Sequence, residues 1–200
     1  MRKLVVASNN PGKLREIGAL LEQLSIQVVP QGELGIAEAE EPHASFLENA
    51  LAKARHASSA CGLLALADDS GLCVPALGGA PGVNSAYYAG RQGTREQRDA
   101  RNNEKLLLEL KDQRAAYYTC VMVMLRHPAD PQPLVAEGTW HGEIARAPRG
   151  ANGFGYDPLF YLPGLKKTTA ELEPGHKNRI SHRGQALARL LSAFKDANFT

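Results

Sequence analysis

Short apolar segments alternate with amphipathic ones in the N-terminal part of the chain. Residues 3–7 and 26–29 are short and apolar, which predicts two buried strands. Between them, apolar side chains at helical spacing predict a helix with Asn10 as its N-cap and Pro11 at its first position. The side chains of this apolar stripe are Leu14, Ile17, Leu20, Leu21 and Leu24. A strand–loop–helix–strand opening is typical of a sheet covered by helices.

The same alternation continues through the middle of the chain. An alanine-rich stretch without glycine or proline predicts a helix over 44–60, and a third strand is predicted over 64–67. A long glycine- and proline-rich connection then covers 75–93. Thr94 and Gln97 form the pattern of a capping box, which predicts the start of a polar helix.

The C-terminal half adds longer strands and a final helix. Residues 117–126 and 134–146 predict two long antiparallel strands joined by a turn. A C-terminal helix capped by Ser181 is predicted from the apolar residues Leu187, Leu190, Leu191 and Phe194. No repeat or linker interrupts the pattern, so residues 1–200 are predicted to form a single α/β domain.

Composition limits the possible functions. The chain has 200 residues, of which 44% are hydrophobic, enough for a packed core and too many for a disordered chain. Its 23 Lys and Arg against 21 Asp and Glu give a formal charge of +2. Proteins that bind nucleic acid or anionic lipid mainly through charge carry a larger basic excess. With aromatic residues at only 6%, we expect neither nucleic acid nor membrane as a partner.

Cysteine content and apolar run length predict the compartment. Three cysteines without a C-x-x-C pair argue against a disulfide framework. The apolar run at residues 4–7 is shorter than the roughly 7–15 residues of a signal peptide. The longest run, 120–125, is far below the roughly 20 residues of a membrane span. We therefore expect a cytoplasmic protein.

Two segments have the chemistry of a phosphate site. The loop at 8–13 leads into a predicted helix, whose first N–H groups favour anions, and Lys13 adds a charge. This is not a Walker A loop, because Ala7 stands where its first glycine belongs and Leu14 where its Ser or Thr belongs. A simple capped helix is the alternative. Lys53, on the alanine-rich helix, either reaches a phosphate or is solvated.

Two acidic segments suggest a metal site. Asp68, Asp69 and Ser70 follow the third predicted strand, and ligands bind at the carboxyl ends of such strands. Adjacent carboxylates are costly unless they share a cation or a proton, and Mg²⁺ prefers oxygen ligands. Glu40 and Glu41 could supply a further oxygen. An ordinary acidic turn is the alternative.

Two later segments suggest recognition of a base. Residues 152–158 interleave aromatic rings with glycines and end on Asp157, which could accept a hydrogen bond from a purine. A tight turn with a packed Phe154 is the alternative. His182 and Arg183 follow Ser181, and cations are disfavoured at a helix N-terminus unless an anion or an electron-rich ligand docks there. Taken with the phosphate and metal candidates, these features indicate a nucleoside polyphosphate ligand.

Six segments, in order, resemble the inosine triphosphatase family: 7–16, 46–55, 67–72, 77–90, 152–158 and 180–187. The resemblance implies a two-lobed fold with a central mixed sheet flanked by helices, an active site in the cleft between the lobes, and a homodimer. It implies Mg²⁺-dependent hydrolysis of dITP, ITP and XTP to the monophosphate and pyrophosphate. It further implies a house-cleaning role, in which hydrolysis of these nucleotides keeps their bases out of DNA and RNA.

The resemblance also assigns residue roles. Asp69 would be the catalytic carboxylate, activating water for attack on the α-phosphorus without a covalent intermediate, and would bind Mg²⁺ together with Glu40 or Glu41. Ser70 would touch the nucleotide. The triphosphate contacts would be Ser8, Asn9, Asn10, Pro11, Gly12, Lys13 and Lys53. The purine contacts would be Phe154, Gly155, Tyr156, Asp157, Lys177, His182 and Arg183.

Two departures from the family pattern qualify this assignment. Pro42-His43 stands where the family usually has Thr-Gly, which leaves the choice between Glu40 and Glu41 open. Tyr87 stands where relatives often have Arg, and we expect this to affect lobe contacts rather than chemistry. A catalytically silent nucleotide-binding or sensor protein on the same fold is the alternative, although it would be expected to lose the acidic residues that this chain keeps.

Overall fold

The computed structural model describes residues 2–21 and 26–196, which form five α-helices and seven strands. The helices are α1 (Pro11–Leu21), α2 (Phe46–Cys61), α3 (Arg95–Glu109), α4 (Pro174–Ile180) and α5 (His182–Asp196). The strands are β1 (Arg2–Val6), β2 (Ile26–Pro30), β3 (Leu64–Cys73), β4 (Ala115–Leu125), β5 (Leu134–Ile144), β6 (Phe160–Leu162) and β7 (Lys167–Thr168). They form one sheet in the order β2-β1-β3-β4-β5-β6-β7.

The sheet is mixed. Strand β1 pairs in parallel with β2 along its whole length and with β3 at Leu64, Ala65 and Leu66. Strand β6 pairs antiparallel with both β5 and β7. The predicted α/β class with a mixed central sheet is therefore confirmed. The predicted cleft stays a prediction.

Residue contacts divide the chain into two compact units. The first unit comprises Met1–Asp69, Cys120–Gly138 and His182–Thr200, and the second comprises Ser70–Thr119 and Thr139–Ser181. Because each unit is assembled from separate stretches of the chain, neither could be excised as one continuous segment.

Two apolar clusters of the first unit show how helices cover its part of the sheet. Leu4 and Val6 of β1 pack in one cluster with residues of α1 and α5. Val5, on the opposite face of the strand, packs in the other cluster with alanines of α2. Successive strand side chains point to opposite faces, so a continuous apolar strand is what a sheet covered on both sides requires.

The core of the second unit centres on aromatic rings. The Phe160 ring lies 4.6 Å from that of Tyr118 and 5.7 Å from that of Trp140, centroid to centroid. Leu106 anchors α3 in the same cluster and is fully buried. This cluster therefore supports α3, β6 and the loop between β5 and β6.

Two predicted helix starts agree with the structure, and a third differs by two residues. The Asn10 side chain accepts hydrogen bonds from the backbone N–H groups of Gly12 and Lys13, which confirms Asn10 as the N-cap of α1. The capping box of Thr94 and Gln97 is present at the start of α3. Ser45 caps α2, so this helix begins at Phe46, two residues later than predicted.

Strand β3 corrects one prediction. It extends to Cys73, so Asp68, Asp69 and Ser70 lie inside the strand and not after it. The acidic pair follows the part of β3 that pairs with β1, because this pairing ends at Leu66. An acidic pair can occupy a buried strand here because cations surround it, and that compensation comes from other parts of the chain.

Some elements were not predicted, and one predicted position cannot be compared. Strands β6 and β7 and helix α4 were not predicted, because each is too short to show a periodic pattern. Leu24, assigned to the apolar stripe of the first helix, lies outside the described residues. Within residues 2–21 and 26–196, no helix has the length and apolar character needed to cross a membrane.

Candidate active site

Lys53 links two carboxylates in the first unit. Its Nζ lies 2.8 Å from Asp69 Oδ1 and 2.6 Å from Glu41 Oε1. Helix α2 carries Lys53 and buries it, whereas Glu41 lies on the exposed loop that leads into the helix. Glu40, its neighbour, is also exposed. The structure thus brings Glu41, Lys53 and Asp69 together.

Asp68 is the centre of a second group of charges in the same unit. Its Oδ2 lies 3.0 Å from Lys13 Nζ and 3.2 Å from Arg183 Nη2. Arg183 also forms an ion pair with Glu16 of α1. These contacts join the start of α1, strand β3 and the start of α5. Because Arg183 and Asp68 are almost fully buried, loss of either charge would leave the other poorly compensated.

The pKa values of the two adjacent aspartates shift in opposite directions. Burial would raise the pKa of Asp68, but the charges of Lys13, Arg183 and Lys53 outweigh it and hold that pKa well below its usual range. Burial raises the pKa of Asp69 more than Lys53 and Lys13 lower it. Asp68 is therefore held ionised, while Asp69 is the better proton acceptor.

The side chains joined by these ion pairs carry a small negative formal charge. The cations of this cluster are Lys13, Lys53 and Arg183, and its carboxylates are Glu16, Glu41, Asp68 and Asp69. Three cations and four carboxylates give a formal charge of −1. These side chains therefore offer no net positive charge to a triphosphate, and an additional cation would supply it.

The donor set of the cluster fits a divalent metal ion. Asp69 Oδ2 is buried and accepts no hydrogen bond from any described residue, so its lone pairs are available to a cation. Carboxylate oxygens are the ligands that Mg²⁺ prefers, and substrate phosphates and water usually supply its other ligands. The described residues contain no group of three or more His, Cys, Asp or Glu arranged to hold a metal. Asp69 and Glu41 would thus supply only part of the coordination shell.

The loop at 8–13 is already partly hydrogen-bonded. Asn10 Oδ1 accepts from the N–H groups of Gly12 and Lys13, and the Asn10 N–H itself donates to Ser8 Oγ. Asn9 and Pro11 are exposed. The first backbone donors of α1 are therefore engaged by the Asn10 cap, and the Lys13 ammonium is the stronger candidate contact for a phosphate.

Close packing fixes the start of α5 within the first unit. A Cβ atom at Gly138 of β5 would lie 2.0 Å from the carbonyl oxygen of His182 and 2.7 Å from the amide nitrogen of Ala186. Only glycine allows this approach, which places His182 and Arg183 against the strand. Both side chains are buried. His182 and Arg183 both lie at this helix start, and for Arg183 the structure supplies the carboxylates that offset its charge.

Asp157 organises the glycine-rich loop of the second unit. Its Oδ2 accepts hydrogen bonds from the Phe154 N–H at 2.8 Å and from Lys177 Nζ at 2.6 Å, and its Oδ1 accepts one from Thr169 Oγ1 at 2.8 Å. A carboxylate has about four lone-pair positions, so these three donors leave room for one more. The predicted hydrogen bond from a purine to Asp157 stays a prediction.

The aromatic residues of this loop have different environments. Phe154 is half-buried, with Arg95 Cζ at 4.6 Å and Lys177 Nζ at 5.0 Å from its ring centroid. Tyr156 is buried and its hydroxyl donates to the Ser85 carbonyl, which makes it a core residue of the second unit. Phe154 is therefore the more exposed of the two rings, and the stacking of a base on it stays a prediction.

Tyr87, one of the two departures from the family pattern, lies beside two arginines of the second unit. Arg91 Cζ is 4.3 Å and Arg98 Cζ is 5.5 Å from its ring centroid. The expectation that this change affects lobe contacts rather than chemistry stays a prediction.

Sequence reasoning missed several residues that contact the candidate site residues. Glu16 lies in the segment 7–16 that resembles the family, and its position one helical turn after Lys13 was the available signal. Thr169, which binds Asp157, gave no signal, because Thr is common in turns.

Comparison with known proteins gives consistent results. The family model described as Ham1 family matches residues 4–193. A dITP/XTP pyrophosphatase of Burkholderia pseudomallei is 62% identical over 192 residues, covering 95% of this chain and 92% of that protein. One of Ralstonia nicotianae is 61% identical over 197 residues, covering 98% of each chain. The solved structure of a HAM1 protein from Coxiella burnetii, 48% identical, superimposes with a TM-score of 0.90, covering 98% of this chain and 100% of that one.

Proposed function

Because this chain belongs to the Ham1 family, we propose that it cleaves dITP and XTP, and ITP as well, to the nucleoside monophosphate and pyrophosphate. It is a hydrolase that acts on nucleoside triphosphates. The family membership confirms the resemblance drawn from the motifs. The observation that best supports this chemistry is the pairing of Asp69 with Lys53, which leaves one buried carboxylate oxygen available.

Asp69 is the general base in this proposal. Lys53 holds its Oδ1 and so fixes the orientation of the carboxylate, while Oδ2 has one lone pair for the metal ion and one to take a proton from water. Burial raises the pKa of Asp69, which makes it a better base than an exposed aspartate. The activated water attacks the α-phosphorus and pyrophosphate leaves. Lys13 and Lys53 neutralise charge on the phosphates.

Asp69 and Glu41 would hold the metal ion, which we propose to be Mg²⁺. When bound, Mg²⁺ supplies charge neutralisation on the phosphates and polarises the phosphorus. The formal charge of −1 on the cluster supports this requirement, because the side chains alone would not attract a polyanion. Glu41 is preferred over Glu40 because its carboxylate contacts the Lys53 that also holds Asp69.

The loop of the second unit recognises the purine in this proposal. Phe154 offers a face for stacking, and Gly155 lets a flat ring approach the backbone. Hypoxanthine and xanthine carry a 6-oxo acceptor, whereas adenine carries a 6-amino donor. A site that presents donors to that position leaves buried groups unpaired when adenine binds, and such mismatches discriminate strongly. His182 and Arg183 remain the proposed donors.

The alternative, a catalytically silent nucleotide-binding or sensor protein, predicts binding of the nucleotide without turnover.

We also propose that the protein is a cytoplasmic homodimer that removes these nucleotides from the pool of DNA and RNA precursors, without nucleic acid as a partner.

Hydrolysis of dITP in ¹⁸O-labelled water tests the reaction. We expect dIMP and pyrophosphate as products, with the label in dIMP, because the proposed attack is at the α-phosphorus. Mass spectrometry of both products measures this. Formation of dIDP and orthophosphate, or label in pyrophosphate, would contradict the proposal. Binding of dITP without turnover would support the sensor alternative.

Exchange of the two glutamates tests the metal assignment. Glu41→Gln should raise the Mg²⁺ concentration needed for half-maximal rate at least about tenfold, because it removes a charged oxygen from the Lys53–Asp69 group. Glu40→Gln, a matched change on the adjacent exposed residue, should change it less than about twofold. Magnesium titrations of initial rate compare the two variants. If both variants raised the required Mg²⁺ concentration equally, Glu41 would no longer be preferred over Glu40 as the metal ligand.

A further inference from the structure

One row of side chains on α3 contacts the glycine-rich loop of the second unit. Arg95, Asp99 and Asn103 are spaced four residues apart and so lie along one face of the helix. None of the three belongs to the segments that resemble the family, and the proposed reaction gives them no role. Each of the three has a contact with Phe154 or Gly155.

Two members of this row engage both polar groups of one peptide residue. Asp99 Oδ2 accepts the Gly155 N–H at 2.9 Å, and Asn103 Nδ2 donates to the Gly155 carbonyl at 2.9 Å. Gly155 has a φ of 62°, which a residue with a side chain rarely adopts. The two hydrogen bonds therefore hold a residue whose backbone would otherwise be among the most freely moving of the loop.

The third member lies on the proposed stacking ring. Arg95 Cζ is 4.6 Å from the Phe154 ring centroid, a distance at which a guanidinium is attracted to an aromatic face. Arg95 Nε also lies 3.8 Å from Asp99 Oδ2, so the ion pair on α3 couples the ring contact to the Gly155 contact. Asp157 also holds this loop, because it accepts the Phe154 N–H.

We propose that Arg95, Asp99 and Asn103 are positioning residues that hold Phe154 and Gly155 in the conformation that binds the purine. They act through the loop and touch neither the phosphates nor the general base. Their contribution should therefore appear in affinity for the nucleotide and in KM, while kcat is preserved. The inference rests on the proposed function, because it assigns the loop to purine binding.

Asp99→Ala is the principal test. Loss of the acceptor for the Gly155 N–H should raise KM for dITP about tenfold, the effect of one hydrogen bond of ordinary strength, with kcat within about twofold of the parent chain. Asp99→Asn keeps an acceptor oxygen and should bring KM back to within about threefold. Glu104→Ala, an exposed acid on the same helix, is the matched control and should leave KM unchanged. Thermal melts of each variant verify folding.

A binding measurement separates this inference from the proposed reaction. The Kd of a non-hydrolysable α,β-imido analogue of dITP, measured by calorimetry with Mg²⁺ present, should rise about tenfold in Asp99→Ala. If Asp99→Ala fails to fold, Asn103→Ala provides the same comparison from the Gly155 carbonyl. Unchanged Kd and KM in folded variants, or a fall in kcat with KM preserved, would overturn the inference. Absence of pyrophosphate release by the parent chain overturns the proposed function alone, because the Kd comparison still tests the row. A parent chain without affinity for dITP overturns both.

Discussion

Asp69→Asn is expected to lower kcat for dITP at least about 100-fold, the low end of what a general base contributes. Asparagine has nearly the same shape but cannot take a proton from water, and it removes one charge that a metal ion would use. The fold should persist, because Lys53 keeps its ion pair with Glu41 at 2.6 Å. Steady-state rates with saturating dITP and Mg²⁺ measure the effect.

The matched control for this variant is Asp112→Asn. Its side chain is 96% exposed, so removing its charge should leave kcat unchanged. Thermal unfolding of both variants verifies that each remains folded. A folded Asp69→Asn protein with near-parental turnover would remove Asp69 from the role of base, and the proposed mechanism with it.

Helices and strands with regularly spaced apolar residues, or with a capping residue next to them in the chain, could be predicted from the sequence. The cap of α1 depends on Asn10 and the two residues after Pro11, and the capping box of α3 spans Thr94 to Gln97, so the determining residues are neighbours in the chain. Strand β1 could be predicted because apolar side chains are needed on both of its faces.

The place of the acidic pair in β3 could not be predicted in this way. Asp68 and Asp69 resemble a turn when only local sequence is considered, because two carboxylates in a buried strand are costly. The charge of Asp68 is compensated by Arg183, 115 positions away in the chain, and that of Asp69 by Lys53 on helix α2. The resemblance to a family found the residues, but only the fold shows that Asp68 is ionised by its neighbours and Asp69 is not fully hydrogen-bonded.

Contacts between distant parts of the chain also could not be predicted for the glycine-rich loop of the second unit. The sequence indicated its aromatic and acidic residues, but not that Asp157 would bind Lys177, Thr169 and the Phe154 N–H. Asp99 gave no signal at all, because it lies 56 positions from Gly155 on a helix that is polar along most of its length. A polar helix predicts solvent exposure, and only the packing shows that one face is used for hydrogen bonds.

The buried arginine at the start of α5 should be important for stability. Arg183→Met removes the cation that pairs with Asp68 and Glu16, and breaking a buried ion pair typically lowers the free energy of unfolding by about 3–5 kcal/mol. Arg189→Met is the matched control on the same helix, because Arg189 is exposed. Urea denaturation of both variants measures the difference.

The pH dependence of stability provides an independent test of the role of Arg183. The pKa of Asp68 is depressed in the folded protein, so its ionised form adds stability above its unfolded pKa of about 3.9, and that stability is lost as the pH falls through the lower folded value. Removing the charge of Arg183 reduces the depression. Arg183→Met should therefore unfold in acid at a higher pH than the parent chain, and adding Asp68→Asn should remove most of that difference. Equal stability of Arg183→Met and Arg189→Met would contradict this role.

The ITP/ATP ratio of kcat/KM in Arg183→Met reports separately on the purine contact. This ratio shrinks if Arg183 reads the 6-oxo group, and it stays constant if Arg183 serves only to neutralise Asp68 and Glu16.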